Sequence, residues 1–155
     1  MTQPNQRRKP WPASTWAVWL LPVLVGCATE RPRTDEPLER HQVLTELAAG
    51  QLRLTCELSC AATWRLGRST LKGLYANQLW GELAVGVARV GYTSDLAYFY
   101  LGRAAEELGS PKAAETYYRL ALAATSRCDG WLLNGCDGIR LPNEATAALA
   151  RVAAR

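Results

Sequence analysis

Histidine is nearly absent from this chain. Its 155 residues include one, His41, at the edge of a strongly charged stretch, where a solvated surface role fits it better than catalysis. A serine or cysteine nucleophile inside a folded body would therefore have no imidazole to activate it. Glycine-rich phosphate loops, paired-acid motifs and clusters of metal ligands are also missing, and no two cysteines stand in a C-x-x-C pair. The longest apolar stretch, Trp16 to Val25, is 10 residues and contains Pro22. A membrane-spanning helix needs about 20. No stretch alternates apolar and polar residues long enough to suggest a sheet. These shortages argue against an enzyme and against a bound cofactor, and favour an all-α body that works by binding.

What the chain does have begins at its N-terminus. Basic Arg7, Arg8 and Lys9 precede the apolar stretch, which ends in small residues: the zones of a secretory signal in their usual order. The end of the stretch, Leu24-Val25-Gly26-Cys27, resembles the lipobox of bacterial lipoproteins. That resemblance implies removal of residues 1–26 and lipidation of Cys27. Several acyl chains would make the anchoring effectively permanent, since each buried CH₂ contributes about 0.8 kcal/mol. With Ala28 rather than Asp after the cysteine, it also implies delivery to the outer membrane, facing the periplasm.

Discarding the signal changes the charge. The whole chain has 18 Lys+Arg against 14 Asp+Glu; without the three basic groups of residues 1–26 the count is 15 against 14. Net charge then points to neither nucleic acid nor an anionic membrane surface as a partner. Residues 27–40, with two prolines, one leucine and charges of both signs, read as the lipidated cysteine and a flexible tether. Residues 41–155 remain for one folded domain.

Past the lipidation site the spacing predicts helices at about 38–47, 58–73, 75–90, 94–108, 111–126 and 143–154. The pair from Asp95 to Thr125 is the best defined. Asp95 is placed to cap its first helix, Gly109 to end it in a left-handed conformation, and Pro111 to start the next. With Leu101-Gly102 as anchor, Tyr98, Gly109, Ala114, Tyr118 and Ala121 fall at the offsets of a tetratricopeptide repeat, which the segment resembles. Gly102, Ala114 and Ala121 would let two backbones approach, while Tyr98, Leu101 and Tyr118 fill the space between. Leu66-Gly67-Arg68 recurs as Leu101-Gly102-Arg103, 35 residues on; at that offset Trp64 meets Phe99, Leu83 meets Tyr118, and Gly86 meets Ala121. The expected fold is about two tetratricopeptide-like antiparallel helix pairs. A final helix capped by Asn143, with Leu149 and Val152 on one face, would close one end, and residues 38–49 the other.

With Cys27 consumed by lipid, Cys56, Cys60, Cys128 and Cys136 allow three pairings. Cys60 and Cys128 would lie about two repeats apart in a stack, whereas a disulfide requires Cα atoms within roughly 7 Å. Local bridges Cys56–Cys60 and Cys128–Cys136 follow, the first only if Cys56 lies outside the helix containing Cys60. A four-cysteine zinc site competes, but C-x3-C with C-x7-C lacks the usual knuckles, and an exported location favours disulfides.

Glu106 and Glu107 read as a solvated helix face, and Trp131 as a plug on the core. The tetratricopeptide resemblance implies a concave surface formed by the first helix of each pair. Trp64 with Phe99 and Arg68 with Arg103 would then form an aromatic row beside a basic one, suited to an acidic or carboxylate-ended partner segment. In the alternative reading the rings are core and the arginines merely solvate their helices. The expectation is an outer-membrane-anchored adaptor for an envelope protein or peptide, of the kind that supports a secretion, pilus or envelope-assembly system. A structural lipoprotein that self-associates is the other reading.

Overall fold

The computed structural model describes residues 35–56, 59–129 and 135–155. The predicted signal, the lipidation site Cys27 and Trp131 lie outside the described residues. Among those described there are six helices and no strand: α1 (Asp35–Ala48), α2 (Cys60–Ala76), α3 (Trp80–Val90), α4 (Asp95–Glu107), α5 (Pro111–Ala123) and α6 (Asn143–Ala153). From α2 to α5 each helix packs on the next across turns of three or four residues, and α6 packs on α5. Turns so short force antiparallel neighbours. The fold is thus all-α, with the consecutive pairing of a helical repeat.

The best-defined pair forms where the spacing put it, with one change at its start. The N-cap of α4 is Ser94, whose hydroxyl accepts from the Ala97 N–H at 3.2 Å. Asp95, predicted to cap, is the first helical residue, buried at 2% exposure. At the other end Gly109 adopts φ +83°, and the Ser110 N–H returns to the Ala105 carbonyl at 2.8 Å before Pro111 opens α5. Close packing between α4 and α5 is concentrated at Gly102. A Cβ there would come 2.5 Å from Tyr118 Cε1, so the tyrosine ring lies directly on the α4 backbone. Ala114 and Ala121 are both buried.

The first pair follows the 35-residue offset only in part. Leu74, which stands 35 residues before Gly109, lies inside α2. The left-handed residue of this pair is Gln78, at φ 57°, and the Leu79 N–H returns to Leu74 O at 3.0 Å. Helix α2 therefore runs one turn further than α4 before the chain reverses. The close approach has moved as well. A Cβ on Gly86 would come within 2.8 Å of Leu71 Cδ2, whereas one on Gly67 would meet only Val90 Cγ2 at 3.9 Å.

The two ends are closed differently from expectation. Helix α6 packs on α5 as a terminal helix, burying Ala145, Ala148 and Val152, with Leu149 partly buried. Its N-cap is Pro142 and no side chain caps it; Asn143, the predicted cap, is already helical. The Glu144 carboxylate instead accepts from the Arg140 N–H at 3.0 Å. Helix α1 begins at Asp35, so the stretch read as a tether is helical over its last six residues. Ion pairs Arg40–Glu82 (3.0 Å) and Glu39–Arg89 (3.6 Å) dock it on α3, and burial of Val43 and Leu47 holds it there. The chain just after it reaches α5, where the Leu52 N–H donates to the Tyr117 hydroxyl at 3.1 Å. Helix α1 thus lies along α3 towards α5 instead of closing the end at α2. Among the described residues no helix covers that end, and Leu66 is 85% exposed on it.

Both predicted disulfides are present, Cys56–Cys60 with Cα atoms 5.5 Å apart and Cys128–Cys136 at 5.0 Å. Cys56 precedes α2 and Cys60 is its first residue, the arrangement that so short a bridge requires.

The two repeat-related glycines should respond to alanine with opposite signs. Gly102→Ala drives a methyl into the Tyr118 ring and should cost about 1–3 kcal/mol. Gly67→Ala meets ordinary contact and should stabilise by up to about 1 kcal/mol through helix propensity. Urea midpoints of the two variants measure this; shifts of the same sign would contradict the packing described.

Candidate functional site

The residues predicted to form a recognition face divide on burial. Trp64 and Phe99 are each 2% exposed. Trp64 packs on Tyr92 with centroids 5.7 Å apart, and Phe99 on Tyr118 at 5.8 Å. The predicted aromatic row is therefore core, because both rings sit on the inward faces of their helices. The arginines are engaged within the body as well. Arg68 Nε donates to Asp137 Oδ1 at 2.8 Å and its Nη2 to the Gly135 carbonyl, while the Tyr100 hydroxyl donates to Asp137 Oδ2 at 2.8 Å. Asp137 thus fastens the end of the Cys128–Cys136 loop to α2 and α4. Burial and the adjacent carboxylate push the Tyr100 hydroxyl well above its usual range. The start of the same loop is held by Asp95, whose Oδ1 accepts from the N–H groups of Leu96 and Cys128 at 2.7 and 2.8 Å. Burial raises the Asp95 carboxyl against the pull of those two donors.

Arg103 belongs to a second cluster, centred on Glu106. The Glu106 side chain is 3% exposed, which replaces the solvated face predicted for it. Arg151 of α6 grips it with two bonds, Nε to Oε1 at 2.8 Å and Nη2 to Oε2 at 2.9 Å. The Tyr118 hydroxyl of α5 donates to Oε2 at 2.7 Å, and Arg103 Nη1 to the same oxygen at 3.1 Å. One carboxylate thereby ties α4, α5 and α6. Its remaining neighbour, Glu107, does face solvent and accepts from Arg103 Nη2 at 2.7 Å.

Arg103 also lies over the Trp80 ring, 5.6 Å from its centroid. Beside this pair is a surface depression of about 350 Å³ lined by Tyr75, Ala76, Gln78, Trp80, Arg103 and Glu107. Tyr75 and Ala76 belong to the extra turn of α2, Gln78 is the left-handed residue that ends it, and Trp80 opens α3. The depression is the candidate site of this surface. Of its lining, sequence reasoning singled out Arg103 for binding and missed the rest. The missed signal is the absence of glycine where a 35-residue repeat puts the turn.

Among the described residues no group of three or more His, Cys, Asp or Glu side chains could hold a metal ion, and no helix is long and apolar enough to cross a membrane. No family model, curated protein or solved structure matches the chain.

The Glu106 cluster makes a pH prediction. Hydrogen bonds from Arg151, then from Tyr118, and the nearby guanidinium charges hold its carboxyl down at about 2, against an ordinary 4.5. A carboxyl lowered on folding stabilises the body above its unfolded pKa, and the contribution is lost as pH falls through the folded value. Glu106→Gln should cost about 2–4 kcal/mol near neutral pH. The gap between the urea midpoints of wild type and variant should narrow as pH falls from about 4.5 to about 2. Parallel curves over that window would show that the charge contributes nothing.

Proposed function

We propose that this chain is an outer-membrane-anchored periplasmic lipoprotein, tethered through Cys27, that acts as a protein-interaction adaptor. Its helical pairs would hold an envelope protein, consistent with a secretion, pilus or envelope-assembly role. The observation that carries the reading is Leu66. Its counterpart Leu101, 35 residues on, is fully buried in α4, which has α3 before it and α5 after it. Among the described residues helix α2 has α3 after it and no helix before it, and Leu66 is 85% exposed in mid-helix. A partner helix laid against that face would complete the stack as α3 does for α4. Arg68 and Arg103 are unsuited to be the recognition row, because charge reversal at either would break ion pairs inside the body.

The second reading, a self-associating structural lipoprotein, would use the same face, with the α2 of another copy as the partner. Leu66→Glu discriminates. It should leave stability within about 0.5 kcal/mol, since the side chain is solvated. Crosslinking of the lipidated chain in its native envelope should lose its principal adduct in the variant. An adduct of a different protein supports the adaptor, one of twice the chain's own mass supports self-association, and an unchanged adduct would remove α2 from consideration.

A further inference from the structure

We propose that the Cys56–Cys60 bridge is a site of thiol–disulfide exchange, opened by an incoming thiol at Cys56, whereas Cys128–Cys136 is an inert staple. The two bridges differ first in access. Cys56 is exposed at the end of the segment that leads from α1, and its partner Cys60 is 6% exposed. A thiolate arriving from solvent therefore meets the Cys56 sulfur first. In the other bridge Cys128 is buried and Cys136 half-buried.

The leaving group supplies the second difference. Attack on Cys56 expels Cys60 as a thiolate, and a stabilised thiolate leaves faster. Cys60 is the first residue of α2, a helix of 17 residues whose N-terminus carries partial positive charge. Among the described residues no side chain competes for that charge: Ser59 makes no side-chain cap bond, and the first turn holds no acidic residue. The charge is available to the Cys60 sulfur, as it is to reactive cysteines at helix N-termini generally. Glu57, which adjoins Cys56 in the sequence, lies outside the described residues. At Cys128 the setting is reversed, because the buried Asp95 carboxylate accepts from its N–H at 2.8 Å and opposes a thiolate beside it.

The surroundings keep the opened bridge in a folded body. Leu52 and Leu54 are buried, the Leu52 N–H is held by Tyr117, and a Cβ on Gly91 would collide with the Thr55 carbonyl. The segment is thus packed in place up to the residue before Cys56. The bridge spans four residues of sequence against eight in the other, and shorter loops contribute less to stability. In the exchange the incoming thiolate bonds to Cys56 Sγ, the Cys56–Cys60 bond breaks, and Cys60 Sγ takes the electron pair. A second thiol attacks the external sulfur of the mixed disulfide and releases Cys56. Two thiols become one disulfide, and the bridge gains their two electrons and two protons. The start of α2 is then unfastened from the segment before it.

The test is opening of the full chain, in detergent micelles near neutral pH, by reduced glutathione and by reduced thioredoxin, a small thiol and a protein dithiol. Samples are quenched with an alkylating reagent and mapped by mass spectrometry. With at least one reagent Cys56–Cys60 should open about tenfold or more faster than Cys128–Cys136, the more effective reagent marking the source, and glutathione should be trapped on Cys56. Ala61→Glu, at an exposed position, puts a carboxylate in the first turn of α2. It should slow the opening about twofold or more without lowering the urea midpoint, separating thiolate stabilisation from a loss of structure. The proposal is overturned if the two bridges open at equal rates with both reagents, if Cys128–Cys136 opens first, if glutathione is trapped on Cys60, or if Ala61→Glu leaves the rate unchanged.

Discussion

A single buried carboxylate holds three helices of this protein together. Glu106 takes two bonds from Arg151, one from Tyr118 and one from Arg103, so that α6, α5 and its own helix α4 meet at one charge. Burying a carboxylate is costly unless it is paired and hydrogen-bonded, and here both oxygens have donors, one on Oε1 and three on Oε2. The arrangement also fixes neighbours that are not part of it. Tyr118 can reach Glu106 because its ring crosses the α4 backbone at Gly102, where no side chain intervenes. Arg103, held by Glu106 and Glu107, is laid over Trp80 and forms one wall of the surface depression.

Helix α4 has the same role at its other end. Asp95 holds the start of the Cys128–Cys136 loop and Asp137 fastens its end, through Tyr100 of α4 and Arg68 of α2. The disulfide closes a short loop, and these carboxylates decide where its two ends sit. Much of the polar capacity of the two best-placed arginines is spent in this way. On the reading proposed above, recognition of a partner would fall to the exposed side of α2 around Leu66 and not to these arginines.

How much of this could be read from the amino acids depends on the kind of interaction. Helix pairing, the two bridges and the turn at Gly109-Ser110-Pro111 were legible, because propensity, capping and local spacing set them. The position of α1 was not: an apolar stripe shows that a helix is buried but not against which neighbour. Trp64 and Phe99 recur at the repeat offset, yet recurrence marks core as readily as a binding row. Glu106 could have been placed correctly, since it lies four residues beyond Gly102 and seven beyond Phe99, on the face turned to α5. Asp137 had no such signal, because its partners are 69 and 37 residues away. The depression exists because α2 outlasts the repeat by one helical turn, a departure visible only where the turn glycine is missing.

The exposed side of α2 would thus be carried on a body held by buried polar junctions along α4, which is the central claim. Native-state hydrogen exchange on the full chain tests it directly. Amides of α4, α5 and α6 should exchange through one common opening that coincides with global unfolding, because releasing α6 exposes the Glu106 charge and loosens Tyr118 with it. If α6 opens on its own, at a lower free energy and with the exchange of α4 and α5 unaffected, then Glu106 does not join the three helices and the claim is wrong.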